Sequence, residues 1–452
     1  MLYHLYDIYN AGLAPARTIA EATKALWESP FFPGSYTTFG RSLAAGAEVF
    51  ERSTRKFVKP EFNLPFTQID GKKVKITEET ISAKVFGDLI HFKRDIKRND
   101  PKVLVVAPIS GHYATLLRGT VEALLPHHDV YITDWHDARQ IPFNEGKFNL
   151  DTFIQYVMDH IKTLGSDTHV IAVCQPAPGL LAATSLMAAQ NSKYQPKSIT
   201  LMGGPIDPRI SKTAVTEVAE TRPLSWFEQN VVTSVPSWYP GAGRAVCPGF
   251  VQLGGFMSMN LDRHVGSSMK FFQHLVEGDG ESADKHREFY NEYMSVMDLH
   301  AEFYLQTVLE IFQKHSLPKG EMKWRDPETE KLHDVDPSKI TKTAILTVEG
   351  EKDDISALGQ TMAAHDLTPN LPENMHYHHL QESAGHYGIF NGSRWRNHIM
   401  PRIRSFIRSV DTNKEAVPKG DLKKTGNPMP DLWDHDKHFT EAMHAYKQQF
   451  GT

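Results

Sequence analysis

His169-Val170-Ile171-Ala172-Val173-Cys174-Gln175-Pro176-Ala177-Pro178-Gly179 is the stretch on which the fold turns. The run from His169 to Val173 is apolar almost throughout, as in a strand buried on both faces. Leu180 to Ala189 after it is helix-like, so a strand must give way to a helix within a few residues around Cys174. In the G-x-S-x-G turn such a sharp bend lifts a nucleophile above the sheet, and small flanking residues prevent collision. Here the frame is Ala172-Val173-Cys174-Gln175-Pro176, with Ala and Pro in the glycine places. A cysteine ending an apolar strand is by default a small buried hydrophobe. At a helix N-terminus beside a histidine it gains thiolate character and suits attack on an ester carbonyl.

Further apolar runs lie on either side, at Val103 to Ala107, Val130 to Thr133, Ile199 to Met202 and Ala344 to Val348, with Leu150 to Leu164 helix-like between two of them. Alternating strands and helices predict an α/β fold, a mostly parallel sheet with helices on both faces and with its loops along one edge. Residues 1–100 form a lead-in, helical to about 60 and then alternating (Lys73, Val74, Lys75, Ile76; Ala83, Lys84, Val85) as in short strands. The core takes 101–207 and 341–410. The alternation lapses over 208–340, which predicts an inserted cap. Tyr293, Met297, Tyr304, Val308 and Ile311 in that cap are spaced as on one long helix. The tail, 411–452, reads as a surface wrap with a short helix near Phe439 to Tyr446.

An orienting acid is expected after the late strand, in Glu349-Gly350-Glu351-Lys352-Asp353-Asp354-Ile355. Asp353 follows Gly350 by three residues and is preferred, with Asp354 as the alternative. Met375 to Gln381 reads as the last strand and leads into Ser383-Ala384-Gly385-His386-Tyr387-Gly388. His386 sits between glycines that permit close approach of backbone and substrate, and the order nucleophile, acid, histidine is that of α/β-hydrolases. Two backbone N–H groups would hold an oxyanion: that of Gln175, and one from Pro108-Ile109-Ser110-Gly111-His112, with Ile109 or Ser110 favoured.

A chain of 452 residues with 40% hydrophobic content can bury a large core. With 49 basic against 54 acidic residues, no basic excess points to nucleic acid or an anionic membrane. Two cysteines, Cys174 and Cys247, exclude a disulfide framework and fit a reducing compartment, with Cys247 structural. Asp7, Arg17 and Glu21 interrupt any signal-peptide core, and no stretch approaches the roughly 20 apolar residues that span a bilayer, so cytoplasmic residence is expected. His376, His378 and His379 alternate across two faces of a strand without a completing Cys or carboxylate, and no metal is expected there. Gly241, Gly243 and Gly249 lack the dinucleotide fingerprint. Trp238, Phe250 and Phe256 are candidates for an apolar substrate platform.

The chain resembles intracellular poly(3-hydroxyalkanoate) depolymerases in Met1-Leu2-Tyr3, Thr133-Asp134-Trp135-His136-Asp137-Ala138-Arg139, Val173-Cys174-Gln175-Pro176, Gly350-Glu351-Lys352-Asp353-Asp354-Ile355 and Gly385-His386-Tyr387-Gly388-Ile389-Phe390-Asn391-Gly392. The resemblance implies a cytoplasmic enzyme on storage granules that cleaves amorphous polyhydroxybutyrate without metal or other cofactor, with Cys174 as nucleophile and acid and histidine at Asp353 and His386. Polyhydroxyalkanoate synthases use similar residues but tend to Gly-x-Cys-x-Gly, from which Ala172 and Pro176 depart. Resolution of a thioester by coenzyme A instead of water is compatible with the same residues. A non-catalytic granule-binding protein would not need an ordered trio.

Overall fold

The computed structural model describes residues 2–411; the tail beyond, with the short helix expected near Phe439 to Tyr446, lies outside the described residues. Two helices, α1 (Leu2–Glu28) and α2 (Thr38–Thr54), pack against each other at the N-terminus. Thr37 starts α2 by accepting the Gly40 N–H on its side chain.

The central sheet has nine strands: β1 (Phe66–Ile69), β2 (Lys72–Ser82), β3 (Gly87–Arg94), β4 (Lys102–Val106), β5 (Asp129–Trp135), β6 (Thr168–Val173), β7 (Ser198–Met202), β8 (Ala344–Gly350) and β9 (His376–Gln381). Their spatial order is β1-β2-β3-β5-β4-β6-β7-β8-β9. The first four in that order pair antiparallel, and from β5 to β9 every pairing is parallel. This mostly parallel sheet with its helices is the α/β-hydrolase fold. The sequence-based short strands of the lead-in are longer than expected: β2 runs for 11 residues. The alternation at Ala83 to Val85 is a turn, not a strand. There the Lys84 N–H donates to Asp88 and its ammonium to Asp159, so the backbone leaves the ladder.

β6, β7 and β8 are buried at every position, which is why they read as unbroken apolar runs. Beside them lie α3 (Arg118–Leu124), α4 (Leu150–Leu164) and α5 (Pro176–Ala189). α5 is buried on all sides, so it shows no amphipathic stripe. It begins at Pro176, four residues before the helix-like run in the sequence, because proline at the first helical position has no N–H to lose. Gly179 lets α5 approach α4: a Cβ there would stand 2.5 Å from Phe153 Cε1.

Between β7 and β8 the chain forms further helices and a three-stranded sheet of Thr233–Ser234, Ala245–Cys247 and Leu299–His300. The prominent helices are α6 (Gly249–Met259), α7 (Leu261–Glu277) and α8 (Gly280–Tyr293). Arg244, the one charged residue of its neighbourhood, is 3% exposed and donates to the carbonyls of Ile141, Pro142 and Gly146, pinning this region to the core. Glu48 of α2 binds both Lys24 and Arg287, the latter on α8. Burial works against the ionised carboxylate of Glu48, but the two cations hold its pKa down at about 2.

The single long helix expected through Tyr293, Met297, Tyr304 and Ile311 is broken. α8 ends at Tyr293, and a new helix, Ala301–Thr307, starts after the short strand Leu299–His300. The intervening backbone is taken by partners elsewhere: Met297 N–H donates to Gly111 O at 2.7 Å, Asp298 N–H to Asp137 Oδ1 at 3.1 Å, and Ala138 N–H to Asp298 O at 3.1 Å. These bonds replace the helical ladder.

Candidate active site

The strand order reverses at β4, whose neighbours are β5 on one side and β6 on the other. In open parallel sheets a crevice forms at such a point, outside the carboxyl ends of the strands. The turn after β4 carries Pro108 to His112, and the turn after β6 carries Cys174. Asp353 and His386 follow β8 and β9 on the same edge.

Cys174 has φ 67°, in the left-handed region that a side chain with a Cβ rarely occupies. Its N–H donates to Met202 O at 2.7 Å and its carbonyl accepts from Ala177 N–H at 3.1 Å, so neighbours on both sides impose the bend. The residue is half-buried and free of any disulfide.

Asp353 is held from both ends. Oδ1 accepts the N–H groups of Ile355 and Ser356, each at 2.9 Å, while Oδ2 meets His386 Nδ1 at 2.8 Å. Asp354 points elsewhere, accepting from Asn260 Nδ2 at 2.9 Å on the exposed side of the turn. Beneath the turn, Glu349 at 2% exposure accepts from the N–H groups of Gly359, Thr361 and Met362, and burial pushes its pKa up to about 7. It organises the loop that frames Asp353.

His386 is 5% exposed and hydrogen-bonded to Asp353, and the Cys174 side chain acts on it electrostatically. Burial works against the charged ring, but Asp353 and Cys174 raise its pKa well above the ordinary histidine value. The loop that carries it is anchored on α3, where Thr120 Oγ1 donates to Phe390 O and Trp395 Nε1 to Gly119 O. The rings of Tyr387 and Phe390 pack at 5.9 and 5.7 Å from the imidazole.

Two glycines complete this arrangement. Gly203, with φ 54°, lies so near that a Cβ there would stand 3.2 Å from Asp353 Oδ2 and 3.3 Å from His386 Cε1. A Cβ on Gly204 would come within 2.8 Å of Cys174 O and 2.2 Å of Ala177 Cβ. Sequence reading passed over this pair, although Gly-Gly directly after a buried strand signals a close backbone approach.

Of the expected oxyanion donors, Ile109 is buried at 3% exposure and its N–H donates to Gln175 Oε1 at 3.3 Å. Ser110 is half-buried on the same loop, and Gly111 turns the chain with φ 112°. The aromatic candidates part company. Phe256 packs on His112 with ring centroids 5.5 Å apart, beside that loop. Phe250 stacks on Tyr6 at 4.3 Å, and Trp238 meets His4 at 5.1 Å, so both engage α1 and not the triad. His112 and the C-terminal end of α8 also meet, His112 Nε2 lying 3.0 Å from Tyr293 O, and the Tyr293 ring continues to Tyr387 at 5.7 Å.

Cys247 is fully buried, and burial pushes its thiol pKa far up. His376 and His378 face Thr347 and His365, with His376 Nδ1 2.9 Å from His365 Nδ1 and His378 Nδ1 2.9 Å from Thr347 Oγ1. His379 meets Gln381 instead. Among the described residues no group of three or more His, Cys, Asp or Glu side chains is set to hold a metal, and no helix is long and apolar enough to cross a membrane.

Residues 203–411 match the family model described as PHB de-polymerase C-terminus. No curated protein sequence matches the chain. Similar solved structures include 2-hydroxy-6-oxo-6-phenylhexa-2,4-dienoate hydrolase from Rhodococcus sp. strain RHA1, at 13% identity, covering 74% of this chain and 99% of that one with a TM-score of 0.42. A monoacylglycerol lipase from Paleococcus ferrophilus is 11% identical over 68% of this chain and 94% of its own, with a TM-score of 0.38. A thermophilic esterase from Thermogutta terrifontis is 12% identical over 77% and 98%, with a TM-score of 0.37. The family match covers 209 of the 452 residues, and it includes the turns that carry Asp353 and His386.

Proposed function

We propose that this chain is a PHB depolymerase, an ester hydrolase that cleaves amorphous poly(3-hydroxybutyrate) inside the cell through a triad of Cys174, His386 and Asp353. The observation that carries the reading is Cys174 in the left-handed region of a strand-to-helix bend, acting electrostatically on His386, which is held by Asp353 at 2.8 Å. A nucleophile and base in contact, with the base oriented by a third group, is the arrangement that covalent catalysis requires.

His386 takes the thiol proton as Cys174 sulfur bonds to the ester carbonyl carbon. The tetrahedral oxyanion lies against the N–H of Gln175 and a second N–H from Ile109 or Ser110. Collapse breaks the ester C–O bond, and the imidazolium returns its proton to the departing alkoxide. The enzyme is left as a hydroxyacyl thioester. Water, deprotonated by His386, then attacks that carbonyl, and the thiolate leaves and is reprotonated. Hydroxyacid or a short oligomer is released.

Residues 208–340 act as the cap over this site, with Phe256 on the substrate side through its contact with His112. Attachment to a polymer granule is supported by the apolar outer face of α1, where Leu5, Ile8 and Tyr9 are 60%, 68% and 62% exposed, and by Leu261, Val265 and Met269 on α7. The test is incubation of the purified protein and its Cys174→Ala variant with amorphous polymer, with and without coenzyme A, and mass spectrometry of the products. Free acids from the wild type alone support the reading. Full activity in the variant overturns it, and acyl-CoA or polymer growth would replace hydrolysis by thiolysis or synthesis.

A further inference from the structure

Gln175 contributes twice to the same small space. Its backbone follows the nucleophile, and its side-chain oxygen takes the Ile109 N–H at 3.3 Å. The contact joins the turn after β4 to the turn after β6, across the point where the strand order reverses.

We propose that the Gln175 carboxamide is a resident plug of the oxyanion hole, which the substrate carbonyl must turn out before Ile109 can serve. The inference rests on the oxyanion assignment made above, with Ile109 as the second donor. Ile109 is 3% exposed, so its N–H has little access to water, and a buried donor without an acceptor is costly. The amide oxygen removes that cost in the resting enzyme. Gln175 is itself half-buried and carries its amide on a flexible stem, so it can swing aside while the bend at Cys174 stays in place.

An ester carbonyl is a neutral acceptor like the amide oxygen, and gains little by displacing it. The tetrahedral oxyanion is charged and forms a stronger hydrogen bond. The cost of turning the amide out is carried alike by the bound ester and the transition state, so it raises KM and leaves the barrier between them, and hence kcat, little changed.

The test uses the full chain and a soluble chromogenic ester of 3-hydroxybutyrate, following acylation of Cys174 in single turnover and KM and kcat at steady state. Gln175→Ala and Gln175→Met both remove the acceptor, the second while keeping side-chain length, and either suffices if the other fails to fold. Each is expected to lower KM roughly fivefold, the worth of one neutral hydrogen bond, with kcat changed little. Gln175→Glu places a charged acceptor on the Ile109 N–H and repels the oxyanion, and acylation is expected to fall roughly a hundredfold or more. Unchanged KM, or a fall in kcat in both Ala and Met variants, would overturn the plug and leave Gln175 a positioning residue. A wild type that is never acylated at Cys174 would overturn the triad and the plug together, whereas acylation with unaltered KM in the variants defeats the plug alone.

Discussion

Gly203 stands against Asp353 so closely that a methyl group on it would lie 3.2 Å from the carboxylate oxygen that holds His386. The same methyl would be 2.6 Å from Ile389 Cδ1, and the backbone there has φ 54°. Gly203→Ala combines a strained conformation with displacement of the acid and the histidine. A stability loss of about 1–3 kcal/mol is expected from the backbone term, by urea denaturation. Ester hydrolysis is expected to fall more than tenfold in the fraction that stays folded. A variant with wild-type turnover would show that the Asp–His pair tolerates the shift.

The two adjacent acids make a paired test. Asp353→Asn removes the acceptor that sets the His386 tautomer, and kcat is expected to drop roughly 10⁴-fold, as for an orienting aspartate in a triad. Asp354→Asn loses only the contact to Asn260 and should stay within a few-fold of wild type. Equal losses in both would remove Asp353 from its proposed role.

His160 on α4 is fully buried, and among the described residues neither ring nitrogen has a hydrogen-bond partner. Burial, and then the nearby Lys84, hold its pKa down at about 4. The unfolded chain, with a value near 6.5, binds the proton more readily, so this group's stability contribution is complete above about pH 6.5 and is lost as pH falls toward 4. The wild type should lose on the order of 3 kcal/mol through this residue over that window, and His160→Leu should flatten the dependence. Urea midpoints at pH 7.5, 6 and 4.5 measure it, and parallel curves for the two proteins would count against the assignment.

Glu48 ties α2 to α8 through Arg287 and to α1 through Lys24. Glu48→Gln should destabilise the protein by about 1.5–3 kcal/mol at neutral pH, the range for hydrogen bonds to charged groups. The folded pKa is depressed, so the wild-type advantage is present above about pH 4.5 and disappears as pH falls through about 2. Chemical denaturation of both proteins at pH 7 and pH 3 reads the difference, which should narrow at the lower pH.

Much of the architecture was legible from the sequence for a simple reason. Strands such as Val103 to Val106 and Ile199 to Met202 are buried on both faces, and burial on both faces leaves an uninterrupted apolar run. The bend at Cys174 was legible too, because Pro176 can begin a helix but cannot extend a central strand. Other features had no local signal. Val296 to Leu299 sits among residues spaced for a helix, and it leaves the helix because the backbone of Gly111 and Cys247 and the carboxylate of Asp137 bond to it from more than 45 residues away. Trp238 and Phe250 were equally fit to line a substrate path, and the docking of α1 claims them. What the sequence alone determined is the order of strands and helices and the turns at their ends. Which of Asp353 and Asp354 meets His386, and that Gly203 must be bare beside them, was decided by the tertiary structure, because those positions depend on how three separate turns converge in space.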